Sequence, residues 1–249
     1  MKAKNTKGDI AQFLESRKIN ISQQSKDRRL VKAAKNFFLE SVRVKYAYNF
    51  NWLGLPIIQY PQDIAAMQEI IWQVRPDLII ETGTARGGSA IFYASMMKIL
   101  GQGKVVSVDI DIREHNREAI RSHSLSNFIT LIEGSSIDKQ VVLRVKKIAD
   151  PAKKVLVVLD SMHTYQHVLA ELNSYSPFVS RGSYLVVFDT VIDSLPPQYS
   201  KDRPWDKSNN PKIAVREFLA HNKNFILDKD VENKLMITVA PGGYLKRIK

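Results

Sequence analysis

Residues 75–90 read Arg75-Pro76-Asp77-Leu78-Ile79-Ile80-Glu81-Thr82-Gly83-Thr84-Ala85-Arg86-Gly87-Gly88-Ser89-Ala90. Pro76 ends any helix before it, because the residue preceding a proline avoids the helical region. The apolar run 78–81 is too short for a helix and is predicted as a buried strand. Gly83 permits a tight turn after it. Gly87 and Gly88 let a ligand or the next helix come close to the backbone, and a helix is predicted over 88–100. The free amides at that helix start suit a carboxylate or a phosphate.

The pattern repeats toward the C-terminus. Apolar runs at 105–108, 129–132, 155–159 and 184–188 alternate with helical stretches at 113–122, 138–149 and 164–179. Such alternation predicts an α/β fold with a Rossmann-like, doubly wound and mostly parallel sheet. The last two runs, 225–227 and 235–239, have no long helix between them. They are predicted as a C-terminal antiparallel hairpin joined through 228–233. Before the first strand, a helix is expected over 61–74, with Pro61 in its first turn. The aromatic stretch 46–60, broken by Gly54 and Pro56, is expected to be irregular. The polar segment 191–212, with Pro196, Pro197, Pro204 and Trp205, is expected to be a lid over an acceptor or a subunit contact.

Leu30, Val31, Ala34, Phe37, Phe38, Ser41 and Val42 recur at helical spacing behind Asp27, a helix-start signal. That stripe should pack on the domain or on another subunit. Residues 1–45 also supply +8 of the formal net charge of +12. The expected organisation is a basic helical N-terminal extension, 1–45, ahead of a catalytic domain, 46–249. A basic arm fits a nucleic acid, an anionic membrane or an acidic polymer. The body lacks the interleaved aromatic and basic residues that stack bases, so nucleic acid ranks last. The absence of cysteine excludes disulfides, thiolate metal sites and cysteine nucleophiles. No stretch approaches the ~18 apolar residues of a membrane span, and 1–9 lack the apolar core of a signal peptide. The expectation is a cytoplasmic homo-oligomer without a transmembrane segment.

In a doubly wound sheet, ligands bind beyond the carboxyl ends of the strands. The residues closing each run are therefore the candidate site. The first run offers Glu81, Gly83, Thr84, Gly87, Gly88 and Ser89. The second ends in Asp109, placed to accept hydrogen bonds from both hydroxyls of a ribose. A glycine turn and an acid at this separation predict an adenosine-containing cofactor. Gly83-x-Ala85-x-x-Gly88 only approximates a dinucleotide fingerprint, which leaves nicotinamide open. The Glu81-x-Gly83 start favours S-adenosylmethionine. After the third run, Glu133-Gly134-Ser135-Ser136 suits an adenine edge or a helix cap.

The fourth run ends Asp160-Ser161-Met162-His163 and the fifth ends Asp189-Thr190. Two carboxylates and a hydroxyl suit Mg²⁺ or another hard divalent cation, with Asp160 and Asp189 as ligands. His163 at the same mouth can take a proton from a substrate hydroxyl. Its other reading is a histidine that caps or orients a helix. If 163–167 is helical, His163 and His167 share a face, and with Asp160 they would make the iron site of an oxygenase.

Over about 46–249 the chain resembles the cephalosporin hydroxylase and rhamnosyl O-methyltransferase family. The resemblance rests on Asn51-Trp52-Leu53-Gly54-Leu55-Pro56, the stretch 75–83, Gly87-Gly88-Ser89-Ala90, Val108-Asp109-Ile110-Asp111, Arg203-Pro204-Trp205 and Ala240-Pro241-Gly242-Gly243-Tyr244. It implies a methyltransferase fold, S-adenosylmethionine binding, often a divalent metal, and a sugar or secondary-metabolite acceptor. Asp160-x-x-His163 and Asp189-Thr190 also resemble the metal and base positions of catechol-type O-methyltransferases, where the base is a lysine. Where a metal-binding branch has a glutamate before the second aspartate, this chain has Phe188, which leaves a metal with fewer protein ligands. The expected function is S-adenosylmethionine-dependent O-methylation of a small-molecule or glycan acceptor, aided by a divalent metal. The alternatives are an NAD-dependent oxidoreductase and the iron oxygenase built on Asp160, His163 and His167.

Overall fold

A computed structural model describes residues 6–249; Lys2 and Lys4 of the basic segment lie outside them. The chain opens with α1 (Thr6–Gln24) and α2 (Arg28–Arg43). Asp27 caps α2, its carboxylate accepting from the amides of Arg29 and Leu30. The stretch expected to be irregular instead forms a hairpin of β1 (Phe50–Trp52) and β2 (Leu55–Ile57). Its turn is Leu53-Gly54, both at positive φ, the backbone that two-residue hairpin turns require. Trp52 anchors the hairpin edge-to-face on Phe92 and donates its indole N–H to the Ser95 hydroxyl at 3.1 Å.

The α/β unit follows as α3 (Pro61–Val74), β3 (Leu78–Thr82), α4 (Gly88–Leu100), β4 (Lys104–Asp109), α5 (Glu114–Ser122), β5 (Ile129–Glu133), α6 (Lys139–Ala149), β6 (Val155–Leu159), α7 (Tyr165–Tyr175) and β7 (Tyr184–Val187). It closes with α8 (Pro211–His221), β8 (Phe225–Leu227), α9 (Lys229–Leu235) and β9 (Tyr244–Arg247). The seven strands lie in the order β5-β4-β3-β6-β7-β9-β8. The first five run parallel, and β9 is antiparallel to both β7 and β8.

Every residue of β3 and β6 is buried, as strands covered on both faces require. Their side chains alternate between two cores. Ile79, Leu156 and Val158 meet Met67 and Ile71 of α3 and Ile91, Phe92 and Met97 of α4. Leu78, Ile80, Val155 and Val157 meet Val145 of α6, Leu172 of α7 and Val215 and Phe218 of α8.

The C-terminal antiparallel pairing forms as expected, with one strand elsewhere. Residues 235–239 are not its second strand; β9 is Tyr244–Arg247, and the connection holds α9. The buried Asp63 carboxylate captures the Thr238 hydroxyl and the Val239 amide, which holds that run as a loop. Gly243 then brings the chain against β7, where a Cβ would lie 2.0 Å from the Val187 carbonyl oxygen.

The division expected at 45/46 falls inside a packed region. Phe38 of α2 stacks on Tyr60 at 5.2 Å, and the Ser41 and Tyr60 hydroxyls are 2.7 Å apart. The Ala34, Phe38, Ser41 and Val42 part of the α2 stripe therefore packs on the domain, while Leu30, Val31 and Phe37 stay exposed. Among the described residues, no helix is long and apolar enough to cross a membrane.

A Cβ on Gly88 would lie 2.2 Å from the Pro56 carbonyl oxygen, so α4 can start only where β2 touches a glycine. Gly88→Ala should destabilise the fold by about 1–3 kcal/mol by overpacking. Gly101→Asn, at a left-handed site with open space around it, should cost less than about 1 kcal/mol. Urea unfolding of both variants checks this, and equal losses would remove the hairpin contact as the reason for Gly88.

Candidate active site

The parallel strands deliver their carboxyl ends to one edge of the sheet, and a cavity of about 650 Å³ lies there. Its floor is set by Gly83. At φ +96° this residue turns the chain out of β3, and a Cβ on it would stand 2.1 Å from the Asp160 carbonyl oxygen. The loops after β3 and β6 are thus in backbone contact. Gly83, Asp109, Ser135, Asp160, His163 and Asp189 all line the cavity.

Glu81, Thr84, Gly87, Gly88 and Ser89, expected to bind the cofactor, do not line it. Protein groups fill the space beside several of them. A Cβ on Gly87 would strike Ile120, and one on Gly88 would strike Pro56. The Thr84 hydroxyl is 2.7 Å from that of Ser107. Ser107 also donates to the Glu81 carboxylate at 2.6 Å. Burial pushes the Glu81 carboxyl up to about 7, while hydrogen bonds from Ser107 and Ser89 pull it down and the nearby Asp109 adds to the rise.

Asp109 ends β4. Its Oδ2 accepts from the amides of Thr84 at 2.8 Å and Ala85 at 3.0 Å, and its Oδ1 from the Asp111 amide at 3.2 Å. Two lone pairs per oxygen leave capacity for one further donor on Oδ1. Asp109 can therefore hold one ribose hydroxyl without releasing the loop, rather than both.

Asp160, His163 and Asp189 each offer a ligand atom, and these atoms lie within 4.8 Å of one another. His163 Nε2 is 3.1 Å from Asp189 Oδ2. Asp189 holds φ +56°, a left-handed backbone uncommon outside glycine. Burial raises the Asp160 carboxyl well above the usual range, and the charges of Asp189, Glu81 and Glu171 add to it. Among the described residues no lysine or arginine pairs with Asp160 or Asp189. Two converging carboxylates and an imidazole fit a divalent cation that would relieve their repulsion. Phe188 is buried in the core, so it offers this cluster nothing.

His167 is not in the cluster. Helix α7 begins only at Tyr165, so His163 precedes it and the two histidines do not share a helical face. His167 Nε2 instead lies 3.0 Å from the Ser136 hydroxyl and 3.6 Å from the fully buried Glu171. The iron site of Asp160, His163 and His167 is therefore not formed.

One cavity residue escapes sequence reasoning. Gln59 donates to Asp160 Oδ2 at 3.0 Å, while its own Oε1 is buried without a partner. It comes from the stretch expected to be irregular and carries no motif. Trp205, in the 191–212 segment, places its ring 6.5 Å from that of His163. Tyr46, Tyr60 and Tyr199 complete an aromatic wall.

The sequence model of the Rhamnosyl O-methyltransferase/CmcI family matches residues 44–248. The Rhamnosyl O-methyltransferase of Mycobacterium leprae is 33% identical over 200 residues, covering 79% of this chain and 82% of that one. Its Mycobacterium tuberculosis counterpart is 31% identical over 201 residues, covering 79% and 77%. Among solved structures, apo CmcI is 20% identical with TM-score 0.57, covering 81% of this chain and 77% of that one. CmcI with Mg and SAM is 19% identical with TM-score 0.54, covering 81% and 78%. At those identities the structures speak for the fold.

The buried Glu81 has a pH consequence. Its folded value of about 7 exceeds its ordinary 4.5, so the folded chain keeps this proton longer than the unfolded chain. The stability it contributes is complete below about pH 4.5 and is lost as pH rises to about 7, a loss of at most about 3 kcal/mol. Glu81→Gln cannot titrate and still bonds Ser107, so its stability should fall less across this window. Denaturant unfolding at several pH values measures the difference, and identical slopes would exclude Glu81.

Proposed function

The chain belongs to the Rhamnosyl O-methyltransferase/CmcI family and is an S-adenosylmethionine-dependent O-methyltransferase, and we propose that it methylates a sugar hydroxyl with His163 as the base. The observation that carries this reading is the 3.1 Å contact between His163 Nε2 and Asp189 within the wall that also holds Gly83 and Asp109. Family membership sets aside the NAD-dependent oxidoreductase that the glycine turn and acid left open.

When bound, S-adenosylmethionine supplies an already activated methyl group, so the chain's work is alignment and proton removal. Gly83, Asp109 and Ser135 would hold it: Asp109 has one acceptor site left, and Ser135 offers a hydroxyl in the same wall. Asp189 accepts a hydrogen bond from the Nε2–H of His163, which leaves the Nδ1 lone pair as the base toward the acceptor hydroxyl. Asp160 and Asp189 would hold a divalent cation such as Mg²⁺, whose charge would favour the oxyanion. The unpartnered Gln59 oxygen can accept from a second acceptor hydroxyl. Trp205 beside His163 offers a flat apolar face suited to a sugar ring, and the relatives are named for a rhamnosyl acceptor. The 191–212 segment, which brings Trp205 there, would be the acceptor's cover.

Methyl transfer to rhamnosides and to other glycans, with labelled donor, tests this. His163→Ala should lower kcat by ~10²–10⁴-fold, the usual worth of a general base, with donor affinity unchanged. Asp109→Ala should weaken donor binding by ~1–3 kcal/mol in calorimetry. Unchanged turnover in His163→Ala would remove it as the base, and full activity in EDTA would exclude an essential metal.

A further inference from the structure

The first two helices leave an unusual surface. From residue 8 to residue 20, every side chain of α1 is exposed. The helix touches the body at its end, where Gln24 donates to the carbonyls of Asn233 and Lys234. Most of a helix's stability in proteins comes from packing an apolar face, so a covering partner would stabilise it. Ile10, Phe13 and Leu14 stand at i, i+3 and i+4, side by side in one exposed apolar patch. Beyond the turn, Leu30, Val31 and Phe37 of α2 are also exposed. Nine of the 19 large hydrophobic side chains exposed among the described residues lie between Ile10 and Tyr48, roughly a sixth of the chain. Single exposed hydrophobics are ordinary, but a concentration of them marks an interaction surface.

The same segment is cationic. Arg17, Lys26, Arg28, Arg29, Lys32 and Lys35 are exposed and have no ion pair among the described residues. We propose that α1 and the start of α2 form a docking surface for an anionic lipid membrane, with Ile10, Phe13 and Leu14 entering the headgroup region and these cations facing the lipid charge. An exposed apolar patch beside a cluster of lysine and arginine is the chemistry of docking on an anionic lipid surface. A second copy fits less well, because residues 1–45 carry +8 and the rest of the chain is itself basic, so copies repel. A nucleic acid would use the cations and leave the apolar patch in water.

The surface runs on into the cavity. The far end of α2 and its sequel give Phe38, Val42, Lys45, Tyr46 and Tyr48 to the cavity wall. An acceptor hydroxyl carried on a lipid would reach His163 from this side. That last step rests on the methyltransferase reading, whereas the docking does not.

The experiment is sedimentation of the full chain with vesicles of phosphatidylcholine alone or mixed with phosphatidylglycerol, with no donor or acceptor present. Binding to the mixed vesicles only, weakening as salt rises, is the expected result. Phe13→Glu and the double change Arg28→Glu, Arg29→Glu should each weaken it at least about tenfold, with the melting temperature unchanged since all three side chains are exposed. Absence of binding, or equal binding to both vesicle types, overturns the proposal. Light scattering and DNA anisotropy name the other occupants. A multimer that Phe13→Glu converts to monomer, without vesicle binding, assigns the patch to a second copy. Salt-sensitive DNA binding that Phe13→Glu leaves intact, without vesicle binding, assigns the cations to nucleic acid.

Discussion

The backbone contact between Gly83 and Asp160 governs the ligand edge of this molecule. The β3–β6 ladder extends one bond beyond the strands, with the Asp160 amide donating to the Thr82 carbonyl at 2.9 Å. On the other side the Gly83 amide donates to the Val108 carbonyl at 2.7 Å. Gly83 is thus held from both neighbouring strands, at a φ that favours glycine and in a space that no side chain can share. Because β3 is the strand where the winding reverses, this is the point at which an open α/β sheet presents a crevice. The side chains of Asp109 and Asp160 stand at either side of it, and their placement follows from that contact.

Around this point the fold gathers carboxylates at a density that water would not favour. Glu81, Asp63 and Glu171 are essentially buried, and Asp160 and Asp189 converge above them. Each buried acid is held by donors from distant parts of the chain. Asp63 receives the Thr238 hydroxyl, the Val239 amide and the Tyr244 hydroxyl, and burial still pushes it up to about 6. That bonding ties α3 to the chain entering β9, so the same residue shapes both the C-terminal strand and the cavity's rear. Glu171 accepts from Ser161 at 2.7 Å on Oε1, the oxygen that faces His167, and keeps Oε2 without a partner. The summed negative potential favours a cation in the crevice, whether a metal ion or a cationic cofactor.

The sequence alone determined the parallel core and the strand ends that carry charge. Short apolar runs bounded by glycine or acid can be read because a parallel strand buried on both faces needs a continuous apolar stretch, and local pattern records that need. Asp109, Asp160 and Asp189 were legible because each directly follows such a run. Three things were decided only by the tertiary structure. Residues 235–239 looked like a strand, but Leu235 ends α9 and 236–239 form a loop, where Asp63, more than 170 positions away in the chain, holds Thr238 and Val239. Gly87, Gly88 and Ser89 were expected as cofactor contacts, and the neighbours the fold gives them are Ile120, Pro56 and Glu81, since an unfilled glycine says that something approaches without saying what. Gln59 reaches the cavity from a segment with no periodicity at all. Local pattern reports what a residue needs from its immediate neighbours; which distant group satisfies that need depends on packing across the sheet, and only the folded chain holds that information.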